Sequence, residues 1–147
     1  MRLSNDLREF LESLNCRGID YVIVGAHSLA FHAQPRYTGD LDILVRATPE
    51  NAAKLIDLLN HFGFSEAGFK QSDFTKPEQL IQLGRAPNRI DLLTSITGVT
   101  TEEALETKVA AELDGIPVFV LNKNVLIRNK RAVGRPQDIA DIDILEN

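Results

Sequence analysis

Two aspartates, Asp40 and Asp42, stand one residue apart in Gly39-Asp40-Leu41-Asp42-Ile43-Leu44-Val45, a stretch whose other residues read as a strand. Side chains alternate along an extended chain, so both carboxylates leave one face with their Cα atoms about 6.5 Å apart. Like charges on an apolar strand repel each other and resist losing water. A cation between them removes both penalties, which marks the pair as chemistry. A third acid, Asp91, interrupts the apolar run Arg89-Ile90-Asp91-Leu92-Leu93. Alone it reads as an edge or end-of-strand carboxylate. Val24-Gly25-Ala26-His27-Ser28 reads as a strand end, a glycine and a helix start. Glycine there lets backbone approach a ligand closely, and the first N–H groups of a helix point at an anion.

Together these features suit phosphoryl or nucleotidyl transfer. Three carboxylates can share one or two Mg²⁺ ions, a hard cation that takes oxygen ligands and keeps part of its water shell. Two such ions about 3.5–4 Å apart activate an attacking hydroxyl and stabilise the charge that develops on the phosphate and leaving group.

The elements that must position these residues follow from periodicity. Leu3, Leu7, Phe10, Leu11 and Leu14 recur at helical spacing up to Asn15, and Gly18 ends that helix. Tyr21–Val24 is a β-branched run that predicts a buried strand. A short helix is expected from Ala26 to about Ala33, broken by Pro35, and the aspartate strand then runs to about Arg46. Thr48-Pro49-Glu50 caps a helix to about Phe62, with Ala52, Leu55, Ile56 and Leu59 as its apolar stripe. Further strands are expected at Gln79–Leu83, Arg89–Leu93 and Val118–Leu121. Helices are expected from Thr101 to about Lys108, near Lys123–Arg131, and from Pro136 to about Leu145. That order predicts an α/β or α+β fold around one short mixed sheet, in a single domain spanning residues 1–147.

Composition narrows the function classes. With 147 residues, 44% hydrophobic and 25% charged, the chain matches an ordinary globular protein. Its one cysteine, Cys16, allows no internal disulfide, and the N-terminus carries acids where a signal peptide has its apolar run. No apolar run approaches the ~20 residues that span a bilayer. A cytoplasmic, non-membrane protein is the expectation. A net charge of −5 speaks against sequence-blind nucleic-acid binding. Between residues 123 and 135, however, Lys123, Arg128, Lys130, Arg131 and Arg135 occur without an acid. They read as a solvated helix face or as a phosphate clamp.

The combined motifs resemble the nucleotidyltransferases of the DNA polymerase β-like superfamily. Val24-Gly25-Ala26 is followed by residues 27 to 39, then by Asp40-Leu41-Asp42 and by Ile90-Asp91-Leu92. The chain also resembles small bacterial members related to the nucleotidyltransferase toxins of abortive-infection and toxin–antitoxin systems. That likeness rests on Val24-Gly25-Ala26-His27-Ser28-Leu29-Ala30-Phe31-His32, on Pro35-Arg36-Tyr37-Thr38-Gly39-Asp40-Leu41-Asp42, and on Lys130-x-x-x-Gly134-Arg135-x-x-Asp138-x-x-Asp141. It implies a minimal nucleotidyltransferase fold and transfer of a nucleoside monophosphate from an NTP to an acceptor, either tRNA or protein. The implied cofactor is a pair of Mg²⁺ ions held by Asp40, Asp42 and Asp91. The implied nucleotide contacts are Gly25, Ala26, Ser28, Arg36, Lys130 and Arg135, and an antitoxin or partner subunit is an implied companion. Ala26 departs from the Gly or Ser of that motif: its methyl crowds a triphosphate and removes a hydroxyl, which Ser28 one turn on would replace. The departure supports a second reading, a catalytically weakened member that binds nucleotide or a partner without turnover.

Other residues admit two readings each. Arg36 could pair with Asp40 or touch phosphate. Lys130 and Arg135 could instead form salt bridges to Asp138 or Asp141. Asp138, in the first turn after Pro136, suits the positive end of a helix. Asp141 and Asp143 read as surface acids. His27 and His32, five apart, share no helix face and read as packing or substrate contacts.

Overall fold

The computed structural model describes residues 3–33, 40–85 and 88–147. Along the chain run α1 (Asn5–Cys16), β1 (Tyr21–Val24), α2 (Gly25–His32), β2 (Asp40–Val45), α3 (Pro49–His61), β3 (Leu80–Leu83), β4 (Arg89–Leu93), α4 (Thr101–Glu106), β5 (Val109–Leu113), β6 (Ile116–Val120), α5 (Lys123–Val133) and α6 (Pro136–Glu146). The helix starts have local causes. Ser4, Thr48 and Thr100 each accept a hydrogen bond from the backbone N–H three residues on, satisfying a donor that the first turn otherwise leaves unpaired.

The strands form one mixed sheet in the order β3-β4-β2-β1-β6-β5. β1 runs antiparallel to β2 and parallel to β6, while β2 runs parallel to β4. Alternation divides each central strand between two apolar layers. Tyr21, Ile23, Leu41, Ile43, Val45, Ile90 and Leu92 join α1 and α3 on one face. Val22, Val24 and Leu44 join α4, α5 and the end of α6 on the other. Asp40, Asp42, Arg89 and Asp91 share the parity of Leu44 and Leu93, so all four project to the second face, the one α2 covers.

The largest difference from expectation is β5, which the sequence reading omitted. Its residues, Val-Ala-Ala-Glu-Leu, have weak strand propensity, and Lys108 was assigned to the preceding helix. The hairpin is made instead by its turn. Asp114 (φ 49°) and Gly115 (φ 81°) both adopt positive φ, the Asp-Gly pattern of a tight two-residue hairpin. Among the described residues no helix is long and apolar enough to cross a membrane.

Asp141 also differs from expectation, being 1% exposed rather than on the surface. The cause is Lys130, whose ammonium stands 2.9 Å from Asp141 and 3.5 Å from the equally buried Asp138. Arg135 adds its Nε to Asp138 at 2.7 Å, and its backbone N–H donates to the same carboxylate. This ion cluster fastens α5 to α6 across the turn at Gly134, which caps α5 with φ 71°. Hydrogen bonding from the Arg135 side chain holds the Asp138 carboxyl below its ordinary value of 3.8, against the opposing pull of burial. A depressed folded value means that the stability from this pairing is complete above pH 3.8 and is lost as pH falls through the folded value. We therefore expect Asp138→Asn to lower the urea midpoint at neutral pH, and the gap to wild type to close as unfolding is repeated below about pH 4.

Candidate active site

The three aspartates converge because of strand register. Asp42 is the lateral partner of Asp91 across the parallel β2–β4 pair, and Asp40 is the partner of Arg89 two residues earlier. On the other side, Val24 is the partner of Asp42, so the turn at Gly25 lies directly beside the Asp42 carboxylate. A Cβ built on Gly25 would collide with Asp42 Oδ2 and lie 3.3 Å from its Cγ, and Gly25 has φ 70°. Only glycine meets both demands.

Electrostatics distinguish the acids. Burial, followed by the charge of Asp91 and hydrogen bonding with it, pushes the Asp42 carboxyl up to about 6; Asp40 adds to the rise and Arg89 opposes it. Asp40 and Asp91 are held by a residue the sequence reading left out of the site. Arg89 donates from Nη2 to Asp40 Oδ2 at 2.9 Å, from Nε to Asp91 Oδ1 at 2.9 Å, and from Nη2 to Asp91 Oδ2 at 3.2 Å. Its signal was available in Arg89-Ile90-Asp91, because residues two apart on a strand share a face.

The first turn of α2 adds two buried polar side chains. His27 and Ser28 are 1% and 0% exposed, and among the described residues neither His27 Nδ1 nor Ser28 Oγ has a hydrogen-bond partner. Burial lowers the His27 pKa against its hydrogen bond to the Asp40 backbone and the nearby Asp40 charge. A buried donor or acceptor without a partner is costly. Ala26, between Gly25 and His27, is half-buried. His32 is a tether: its Nε2 lies 2.5 Å from the Leu121 carbonyl oxygen, joining α2 to the end of β6.

The structure therefore sets Asp40, Asp42 and Asp91 on one face with Gly25 against Asp42, and Ala26 and Ser28 follow Gly25 in the first turn of α2. Arg36 lies outside the described residues. Lys130 and Arg135 meet Asp138 and Asp141, and within the same basic run Arg128 pairs with Glu103 and Arg131 with Glu146. Four of its five cations thus already have carboxylate partners. A separate cleft of about 480 Å³ lies at the other end of β1 and β2, lined by Asp20, Arg46, Lys54 and Lys108, away from the three aspartates.

As they stand, no three or more His, Cys, Asp or Glu side chains among the described residues are gathered closely enough to hold a metal ion. The donor set nevertheless suits a hard divalent cation. It is all carboxylate, one member is raised by burial and then by its like-charged neighbours, and a cation, Arg89, already sits against two of them.

A family model described as "Nucleotidyl transferase of unknown function (DUF2204)" matches residues 3–147. No curated protein sequence matches the chain. Two solved structures share its fold. One is the crystal structure of a Thermotoga maritima protein designated a nucleotidyltransferase (TM1012), with TM-score 0.63 and 17% identity over 94% of this chain and 88% of that one. The other is the solution structure of the antibiotic-resistance factor ANT(2'')-Ia, with TM-score 0.58 and 13% identity over 95% of this chain and 78% of that one.

Two stability outcomes follow from the site's geometry. Gly25→Ala should cost about 1–3 kcal/mol by urea unfolding, from the positive φ and the collision with Asp42. Asp42→Asn, measured by thermal unfolding without divalent ions, should melt at or above the wild-type temperature, because one repelling carboxylate is gone.

Proposed function

The chain belongs to this nucleotidyltransferase family, and from that premise we propose that it transfers a nucleoside monophosphate from an NTP to an acceptor hydroxyl with the help of Mg²⁺. The observation that carries this reading is the placing of Asp42 opposite Asp91, on the face shared with Asp40 and beside the Gly25 turn. Asp40, Asp42 and Asp91 would hold Mg²⁺, which supplies Lewis-acid activation of the acceptor hydroxyl and neutralises charge on the phosphates.

The chain's own residues divide the remaining work. The turn Gly25–Ser28 takes the triphosphate, offering the backbone N–H groups of the first turn of α2 and the buried hydroxyl of Ser28. Asp91 orients the acceptor and receives its proton as the acceptor oxygen bonds to the α-phosphorus and the bond to pyrophosphate breaks. Arg135 is better placed than Lys130 to touch phosphate as well, since its side chain is 71% exposed against 10% for Lys130. Lys130 supports the site by holding α5 and α6 in place. The acceptor we favour is a tRNA or a protein, in a cytoplasmic setting and with an antitoxin or partner subunit, as the likeness to toxin-type relatives suggests.

A second reading is favoured by Ala26, whose methyl stands where a Gly or Ser would meet the triphosphate. On that reading the protein binds Mg·NTP or a partner without turnover. Incubating the purified protein with radiolabelled NTPs, Mg²⁺, and RNA or protein pools separates the two. The transferase reading expects pyrophosphate release and a labelled acceptor, with turnover at least about 100-fold lower in Asp42→Asn. Tight Mg·NTP binding with no product from any pool would establish the second reading instead.

A further inference from the structure

We propose that Arg89 is the resident counter-cation of this site, and that a divalent ion binds the three aspartates only by displacing its guanidinium from Asp40 and Asp91. The inference rests on the metal-binding reading above and adds a competitor to it.

Arg89 and Asp91 are two residues apart on β4, and Asp40 is the register partner of Arg89 on β2, so backbone pairing alone delivers one guanidinium to two carboxylates. The fork is well used. Nε and Nη2 take the two oxygens of Asp91 at 2.9 and 3.2 Å, and Nη2 also reaches Asp40 Oδ2 at 2.9 Å. Such charge-assisted contacts are about twice as strong as neutral ones. They also occupy oxygens that a metal would need.

Two properties make exchange feasible. An arginine cannot leave by giving up a proton, so the carboxylates keep a positive partner until another cation arrives. The Arg89 side chain is 33% exposed, against 10% for Asp91, so its long stem can carry the head into water while the acids stay in place. Asp42 receives no hydrogen bond from Arg89 among these contacts.

The test compares Mn²⁺ binding, followed by electron paramagnetic resonance of the free ion, in wild type, Arg89→Gln, Asp42→Asn and the double variant. Thermal unfolding is measured with EDTA and with saturating Mn²⁺. Displacement predicts that Arg89→Gln binds Mn²⁺ about tenfold more tightly than wild type, because the Arg89 guanidinium no longer competes for the oxygens. Its melting temperature should fall in EDTA and recover with Mn²⁺, the ion taking over the lost neutralisation. Adding Asp42→Asn should abolish the gain and so place the ion among these acids. If Arg89→Gln does not fold, Arg89→Lys carries the test, since losing the fork while keeping the charge should also tighten Mn²⁺ binding. Unchanged or weaker Mn²⁺ binding in the folded Arg89 variant, with wild-type binding still lost in Asp42→Asn, overturns the inference and leaves the metal reading standing. Mn²⁺ binding absent from every variant, or indifferent to Asp42→Asn, overturns both.

Discussion

Asp42 faces Asp91 because β2 and β4 are hydrogen-bonded in parallel, and that enforced meeting of like charges governs what surrounds it. Left alone, two carboxylates on adjacent strands would favour a slipped register. The apolar layers prevent the slip. A one-residue shift would turn Leu41, Ile43, Ile90 and Leu92 out of the larger core and drive the aspartates into it. Hydrophobic burial on one face thus holds electrostatic repulsion on the other. Arg89 makes the arrangement tolerable, and Gly25 leaves the room it requires. A fold that keeps unfavourable charge in place by packing elsewhere is the pattern expected where local rules yield to function.

Charge in the second half of the chain serves the opposite purpose. Lys130, Asp138 and Asp141 are buried together and satisfy one another, with Gln137 adding a hydrogen bond to Asp141 at 2.9 Å. Breaking such a cluster strands a buried ion, so it stabilises chiefly by making alternatives worse. The two groups of acids look alike in sequence, each being aspartates a few residues apart beside a basic residue. Their partners separate them. The cations of the α5–α6 cluster satisfy its acids, whereas in the site the Arg89 guanidinium is shared between Asp40 and Asp91 and the Asp42 carboxyl stays raised.

Much of this was legible before any coordinates. Tyr21–Val24 and Arg89–Leu93 fall where β-branched and apolar runs put them, and period-two alternation alone places Asp40 and Asp42 on one face. The cap at Thr48 likewise follows from residue type. What was missed depends on contacts distant in sequence or on turns. The strand Val109–Leu113 owes its existence to Asp114-Gly115 rather than to its own alanines. Burial of Asp141 becomes visible only once Lys130, eleven residues earlier, is known to reach it. The pairing of Arg89 with Asp91 is legible as two residues on one strand face, whereas its reach to Asp40 depends on a partner strand that no local pattern names.

The parallel pairing of β2 with β4 joins residues 49 positions apart, with α3 and the whole of β3 between them. Contacts that close so long a loop form late, after local helices and hairpins have settled. A nascent chain on the ribosome therefore carries Asp40 and Asp42 before Asp91 and Arg89 have been synthesised, and holds two of the three acids. A copy that stops before β4 lacks Asp91 and Arg89, the partners that the parallel pairing brings to Asp42 and Asp40.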